Sequence, residues 1–122
     1  MLLENRYYEI TDARTTSQEG VFHIRLLPGC DVYRGHFPGR PVCPGVCNIE
    51  VIKECAVLLS GRKLSISTIR QCRFTAVASP SICPELAVAV SLLPAGDGYV
   101  VSARISDKER TYVEYKGNMT AV

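Results

Sequence analysis

Over much of this chain apolar and polar residues alternate with a period of two, the pattern of a strand with one buried face. Tyr7 to Pro28 reads as two strands, with Gly20 marking the turn after Thr15-Thr16-Ser17-Gln18-Glu19. In Val21–Leu26, His23 and Arg25 stand between apolar neighbours, so His23 faces outward. Leu64-Ser65-Ile66-Ser67 alternates and continues toward Phe74. Leu86, Val88, Val90 and Leu92 form the next strand, and Tyr99, Val101, Ala103 and Ile105 the one after. The turn Pro94-Ala95-Gly96-Asp97-Gly98 joins these two, and Asp107-Lys108-Glu109 leads into a last strand from Thr111 to Val122. Hairpin connections of this kind require an antiparallel sheet.

Between the two groups of strands the pattern changes. Pro28 to Gly45 is too dense in Gly and Pro for regular structure. A loop of that length in a compact domain is usually functional. A helix follows, from Pro44 or Gly45 to Ser60. Pro44 suits a first helical position and Gly61 suits a C-terminal cap. Its apolar residues, Val46 to Leu59, point in nearly every direction, which predicts burial on all sides. Glu50 is then a carboxylate on an apolar helix, while the adjoining Lys53 and Glu54 mark a solvent or subunit-edge face. Two strands, one long helix and about four more strands make an α+β domain, with the sheet wrapped around the helix.

Composition narrows the possibilities. At 122 residues the chain is one domain's worth, read as a single domain over 1–122. A hydrophobic fraction of 47% excludes a wholly disordered chain. Apolar runs of four or five residues fall far short of the roughly 20 a membrane span needs. Glu4 and Arg6 interrupt the stretch a signal peptide would use, so a cytoplasmic protein is expected. A net charge of +2 with no basic helix argues against nucleic acid. The six cysteines lack an export context and regular metal spacing, Cys43-x-x-x-Cys47 being the nearest approach. Buried free thiols are the favoured reading, with a disulfide or a metal as alternatives.

Candidate chemistry concentrates in Gly35–Glu50. His36 has the side chain best matched to proton transfer near neutral pH. Desolvation should raise the pKa of Glu50, keeping it protonated as an acid. The helix start at Gly45 offers unpaired N–H groups to a developing oxyanion. Set against this, His36 could simply bond a backbone carbonyl, and Glu50 could be exposed or paired with an arginine. Arg34 and Arg40 are either solvated loop charges or the lip of a site that attracts an acidic partner.

The run GHFPGRPVCPGVCNIE strongly resembles the signature of the 3-hydroxyacyl-(acyl-carrier-protein) dehydratases, which have the hotdog fold. Its sixteen consecutive residues include an acid fourteen positions after the histidine, the interval from His36 to Glu50. Arg73-Phe74 resembles the family's basic-Phe strand start. The resemblance implies that His36 removes the C2 proton of a 3-hydroxyacyl thioester and that Glu50 assists departure of the C3 hydroxyl. Gly45 N–H would hold the thioester oxygen, and backbone at Val42 would orient His36. It also implies a homodimer or larger homo-oligomer with the site shared between subunits. The acyl chain would arrive on the phosphopantetheine of an acyl carrier protein or on coenzyme A, with no metal or organic cofactor in the enzyme. Arg34 and Arg40, with Arg62, Arg70 or Arg73, would be the docking charges.

Glutamate at position 50 favours the plain dehydratase branch in fatty-acid or polyketide/polyene-type synthesis. This chain departs from the family in three places. Glu54 replaces the usual Gln, the N-terminal extension is short, and the Pro-Gly-Asp turn after Phe74 is missing, with Pro80 or Pro84 to stand in. A hotdog thioesterase and a catalytically silent acyl-binding or partner subunit are the alternatives.

Overall fold

The computed structural model describes residues 1–35 and 43–122, excluding the side chains of residues 34 and 35. The elements run β1 (Tyr8–Thr15), β2 (Glu19–Leu26), α1 (Val32–Gly35), α2 (Gly45–Ser60), β3 (Leu64–Phe74), β4 (Glu85–Ala95), β5 (Gly98–Ser106) and β6 (Thr111–Ala121). The six strands form one antiparallel sheet in the order β1-β2-β4-β5-β6-β3. The long helix α2 lies against β2, β3 and β4. This is the expected α+β arrangement, a sheet around one long helix.

Alternation sets which face each strand buries. In β2, Gly20, Phe22, Ile24 and Leu26 point inward, while Glu19, Val21, His23 and Arg25 point out. Leu86, Val88, Val90 and Leu92 of β4 do the same. The pairing Ile24↔Leu86 brings these two rows together and settles the register after Phe74. Pro84 contributes through its carbonyl, which accepts from Leu26 N–H at 2.7 Å. The helix ends where its flanking residues require. Pro44 is the extended N-cap, and Gly61 takes φ 70°, with its N–H on the Val57 carbonyl at 2.9 Å.

Several sequence expectations are corrected. Gly20 is not in the first turn but inside β2, paired with Thr15, where glycine is needed because a side chain would press on Phe22, Thr15 and Leu59. One helical turn, α1, forms within the Gly/Pro-rich stretch because Asp31 to Gly35 contains no proline. Arg73 and Phe74 close β3 rather than start it. Helix α2 is not buried all round: Val46 and Leu58 are exposed, and the core side is Asn48, Val51, Ile52, Glu54, Cys55 and Ala56. Glu54 therefore does not mark a solvent face. It is 1% exposed, because the N-terminal segment covers that side of the helix.

The six thiols are free. Cys55 and Cys83 are buried, and the other four are half-buried. No helix among the described residues is long and apolar enough to cross a membrane.

Candidate functional site

Two described segments bracket residues 36–42. Helix α1 ends at Gly35, and Cys43 stands two residues before α2. These flanks are tied together, with the Tyr33 hydroxyl 3.7 Å from the Cys43 sulfur. Tyr33 stacks on Tyr7, their ring centroids 5.7 Å apart. The Tyr7 hydroxyl in turn donates to Asn48 Oδ1 on α2 at 3.1 Å. Cys43 N–H donates to the Ala78 carbonyl at 2.8 Å, fixing the entry to α2 against the segment after β3. Burial raises the pKa values of Tyr7, Tyr33 and the Cys43 thiol, so these groups stay neutral hydrogen-bonding partners near neutral pH.

Of the predicted site residues, Gly45 and Glu50 are brought onto one helix, five residues apart. Gly45 opens α2, where the first N–H groups have no partner within the helix. The Phe74 ring lies directly over it. A Cβ at position 45 would sit 2.7 Å from Phe74 Cζ and 3.1 Å from Cε1, so only glycine fits without moving the ring. The Glu50 side chain is 23% exposed, and its Oε1 lies 3.8 Å from Lys53 Nζ. Its pKa is raised, first by desolvation and next by a hydrogen bond with Glu54, against the lowering influence of Lys53. The charged neighbour is thus a lysine one turn on, rather than an arginine.

His36, Arg40 and Val42 lie outside the described residues, and Arg34 is placed in α1 by its backbone alone. Of the remaining candidate docking charges, the Arg62 guanidinium lies 5.7 Å from the centroid of the Tyr99 ring, and Arg70 and Arg73 are exposed on β3. His23 is exposed on β2. Among the described residues no group of three or more His, Cys, Asp or Glu is placed to hold a metal ion.

Sequence reasoning missed the set that supports this helix. Glu54 Oε2 accepts Leu3 N–H at 3.0 Å, and Oε1 accepts Glu4 N–H at 3.0 Å and the Tyr8 hydroxyl at 2.9 Å. Its one sequence signal was an acid where the resemblance leads one to expect glutamine. Tyr7, Tyr33 and Asn48 gave none.

A family profile described as ApeI-like, ApeI dehydratase, matches residues 12–113. The chain belongs to the ApeI-like dehydratase family. This ApeI-like chain is also 33% identical over 99 residues to the 3-hydroxyacyl-(acyl-carrier-protein) dehydratase FabZ of Rhizorhabdus wittichii, covering 73% of this chain and 60% of that one. It is 36% identical over 69 residues to the FabZ of Variovorax paradoxus, covering 53% and 46%. The matched region thus spans 60% or less of the length of these curated relatives. Among solved structures, the dehydratase heterocomplex ApeI:P from Xenorhabdus doucetiae superposes with a TM-score of 0.77 at 23% identity, over 91% of this chain and 96% of that one. Protein PH1136 from Pyrococcus horikoshii gives 0.72 at 12% identity, over 99% and 88%. With the sheet order described above, these likenesses show the hotdog fold for the ApeI-like chain.

Proposed function

We propose that this chain dehydrates 3-hydroxyacyl thioesters, carried on acyl carrier protein, to trans-2-enoyl thioesters. The observation that carries the reading is Glu50: a half-buried carboxyl with a raised pKa, on the helix that starts at Gly45 and fourteen residues after His36. In this reaction His36 takes the proton from C2 while the C3–O bond breaks. Glu50 gives its proton to the departing hydroxyl, which leaves as water, and the C2–H electron pair becomes the new double bond. Charge gathers on the thioester oxygen, which accepts a hydrogen bond from the Gly45 N–H, and the Val42 backbone orients the imidazole. Two proton transfers and the cleavage of the C3–O bond involve no oxidation or reduction, and phosphopantetheine belongs to the carrier, so the chain needs no cofactor of its own. Arg34 and Arg40 are the proposed contacts to the acidic carrier.

A second copy of this chain, or a related partner, completes the site in this reading. Edge strand β3 and the exposed Phe74 and Val46 beside the helix start support such an interface. The heterocomplex of the Xenorhabdus relative favours testing a mixed assembly as well.

The test is dehydration of 3-hydroxyacyl thioesters of several chain lengths, on carrier protein and on coenzyme A. Turnover by the wild type and none by His36→Ala is expected. Equal inertness of the two proteins on every substrate, alone and with a co-expressed partner subunit, would sink the proposal. Native mass spectrometry separates a homodimer from a mixed complex.

A further inference from the structure

Glu54 is a charged side chain in the core, 1% exposed. A buried carboxylate is tolerated when donors satisfy it, and here three converge. The backbone N–H groups of Leu3 and Glu4 and the hydroxyl of Tyr8 all donate to it at 2.9–3.0 Å. They come from a segment about fifty residues away along the chain, so the N-terminus is folded onto α2 at this point.

Glu54 stands four residues after Glu50, a spacing that places two helical side chains side by side. Burial, and after it this neighbouring carboxyl, raise the pKa of Glu50. Three donors already converge on Glu54, so its oxygens act as acceptors beside the Glu50 carboxyl. We infer that Glu54 is a positioning residue for Glu50, completing a carboxyl pair in which Glu50 keeps the proton needed by the departing hydroxyl. The inference rests on the reading of Glu50 as the acid of the dehydration. It adds that the N-terminal segment is part of the acid's machinery, because that segment supplies all three donors.

The groups facing this pair can be named from each element. On α2, Lys53 lies beside Glu50 and opposes its protonation, and the Cys47 thiol interacts with Glu50 from three residues before it. Cys55 adjoins Glu54. From the N-terminal segment come Glu4 and Tyr8. Lys53 pulls Glu50 toward ionisation, so the effect of Glu54 is what a substitution there would expose.

The test is a titration of the Glu50 carboxyl by carbon-13 NMR in the full chain, its signal assigned by its loss in Glu50→Gln. In Glu54→Gln the Glu50 midpoint should fall toward the ordinary carboxylate range, because a like-charged neighbour is replaced by a neutral amide. Tyr8→Phe, which keeps Glu54 but removes one donor, should lower it less. The activity readout is the high-pH limb of kcat, which should move to lower pH in both variants. A Glu50 midpoint unchanged in Glu54→Gln, with only a lower Tm, overturns the inference and leaves Glu54 a tether. If Glu54→Gln does not fold, Tyr8→Phe decides alone, an unchanged midpoint again overturning it. The NMR titration needs no substrate, so a midpoint that falls in a protein inert on every thioester would condemn the dehydratase reading and not the carboxyl pair.

Discussion

The Tyr7 hydroxyl donates to Asn48 Oδ1 across 3.1 Å and joins the start of the sheet to the first turn of α2. Both residues are buried, at 0% and 6% exposure. Tyr7→Phe removes the donor and leaves that amide oxygen in a dry place. An unsatisfied buried acceptor costs about 1–3 kcal/mol, and a loss of that size is the expected outcome of urea denaturation. Because Tyr7 also stacks on Tyr33 beside Cys43, the variant should lose turnover as well as stability.

Glu50→Gln keeps the size of the side chain and removes its proton. General acid catalysis commonly contributes about 10²- to 10⁴-fold, so kcat should fall by that range while the fold persists by circular dichroism. Turnover at the wild-type rate would remove Glu50 from the mechanism.

The raised pKa of Glu50 also has a sign for stability. Its folded pKa lies above its unfolded one, so between the two the folded state binds more protons. The contribution is therefore present below the unfolded carboxyl pKa and is lost as pH rises through the folded pKa. Glu50→Gln should flatten this slope in thermal melts run across the mildly acidic range. A slope identical in the variant and the wild type would contradict the assignment.

Gly45→Ala places a methyl group 2.7 Å from the Phe74 ring. Overpacking commonly costs about 1–3 kcal/mol, and Phe74 is 53% exposed, so the ring can swing away and the low end is expected. Phe74→Ala in the same chain should recover most of the lost stability, a positive coupling in a double-mutant cycle. Turnover should not recover with it if the N–H at position 45 must meet the thioester oxygen closely.

Burial pushes the Cys55 thiol up to about 12, and its side chain is 0% exposed. The thiolate is the reactive form, so Cys55 should resist a maleimide or disulfide reagent at pH 8 until the protein unfolds. Peptide mass mapping before and after denaturation checks this. Labelling of native Cys55 at the rate of the half-exposed thiols would contradict its burial.

Strand alternation was readable because one face of each strand is buried; β4 follows the apolar and polar pattern, and β2 does so apart from the exposed Val21. The ends of α2 were readable because Pro44 and Gly61 act through their own backbone. Glu54 was not, because its burial depends on Leu3, Glu4 and Tyr8, which lie far away in sequence. The same applies to Gly20, where Leu59, distant in sequence, helps leave no room for a side chain. In the candidate site, the helix start and the raised pKa of Glu50 could be foreseen from apolar neighbours. The aromatic and amide groups holding α2 in place could not, since tyrosines and an asparagine carry no spacing signal. His36, Arg40 and Val42 rest on the sequence motif alone.

The contact between Tyr33 and Cys43 has a practical meaning for protein engineering. It ties the chain on either side of residues 36–42, so that stretch can be treated as a cassette with anchored ends. Exchanging it for the matching stretch of a relative should leave the helix and sheet where they are. Swaps that include Tyr33 or Cys43 should instead loosen the scaffold.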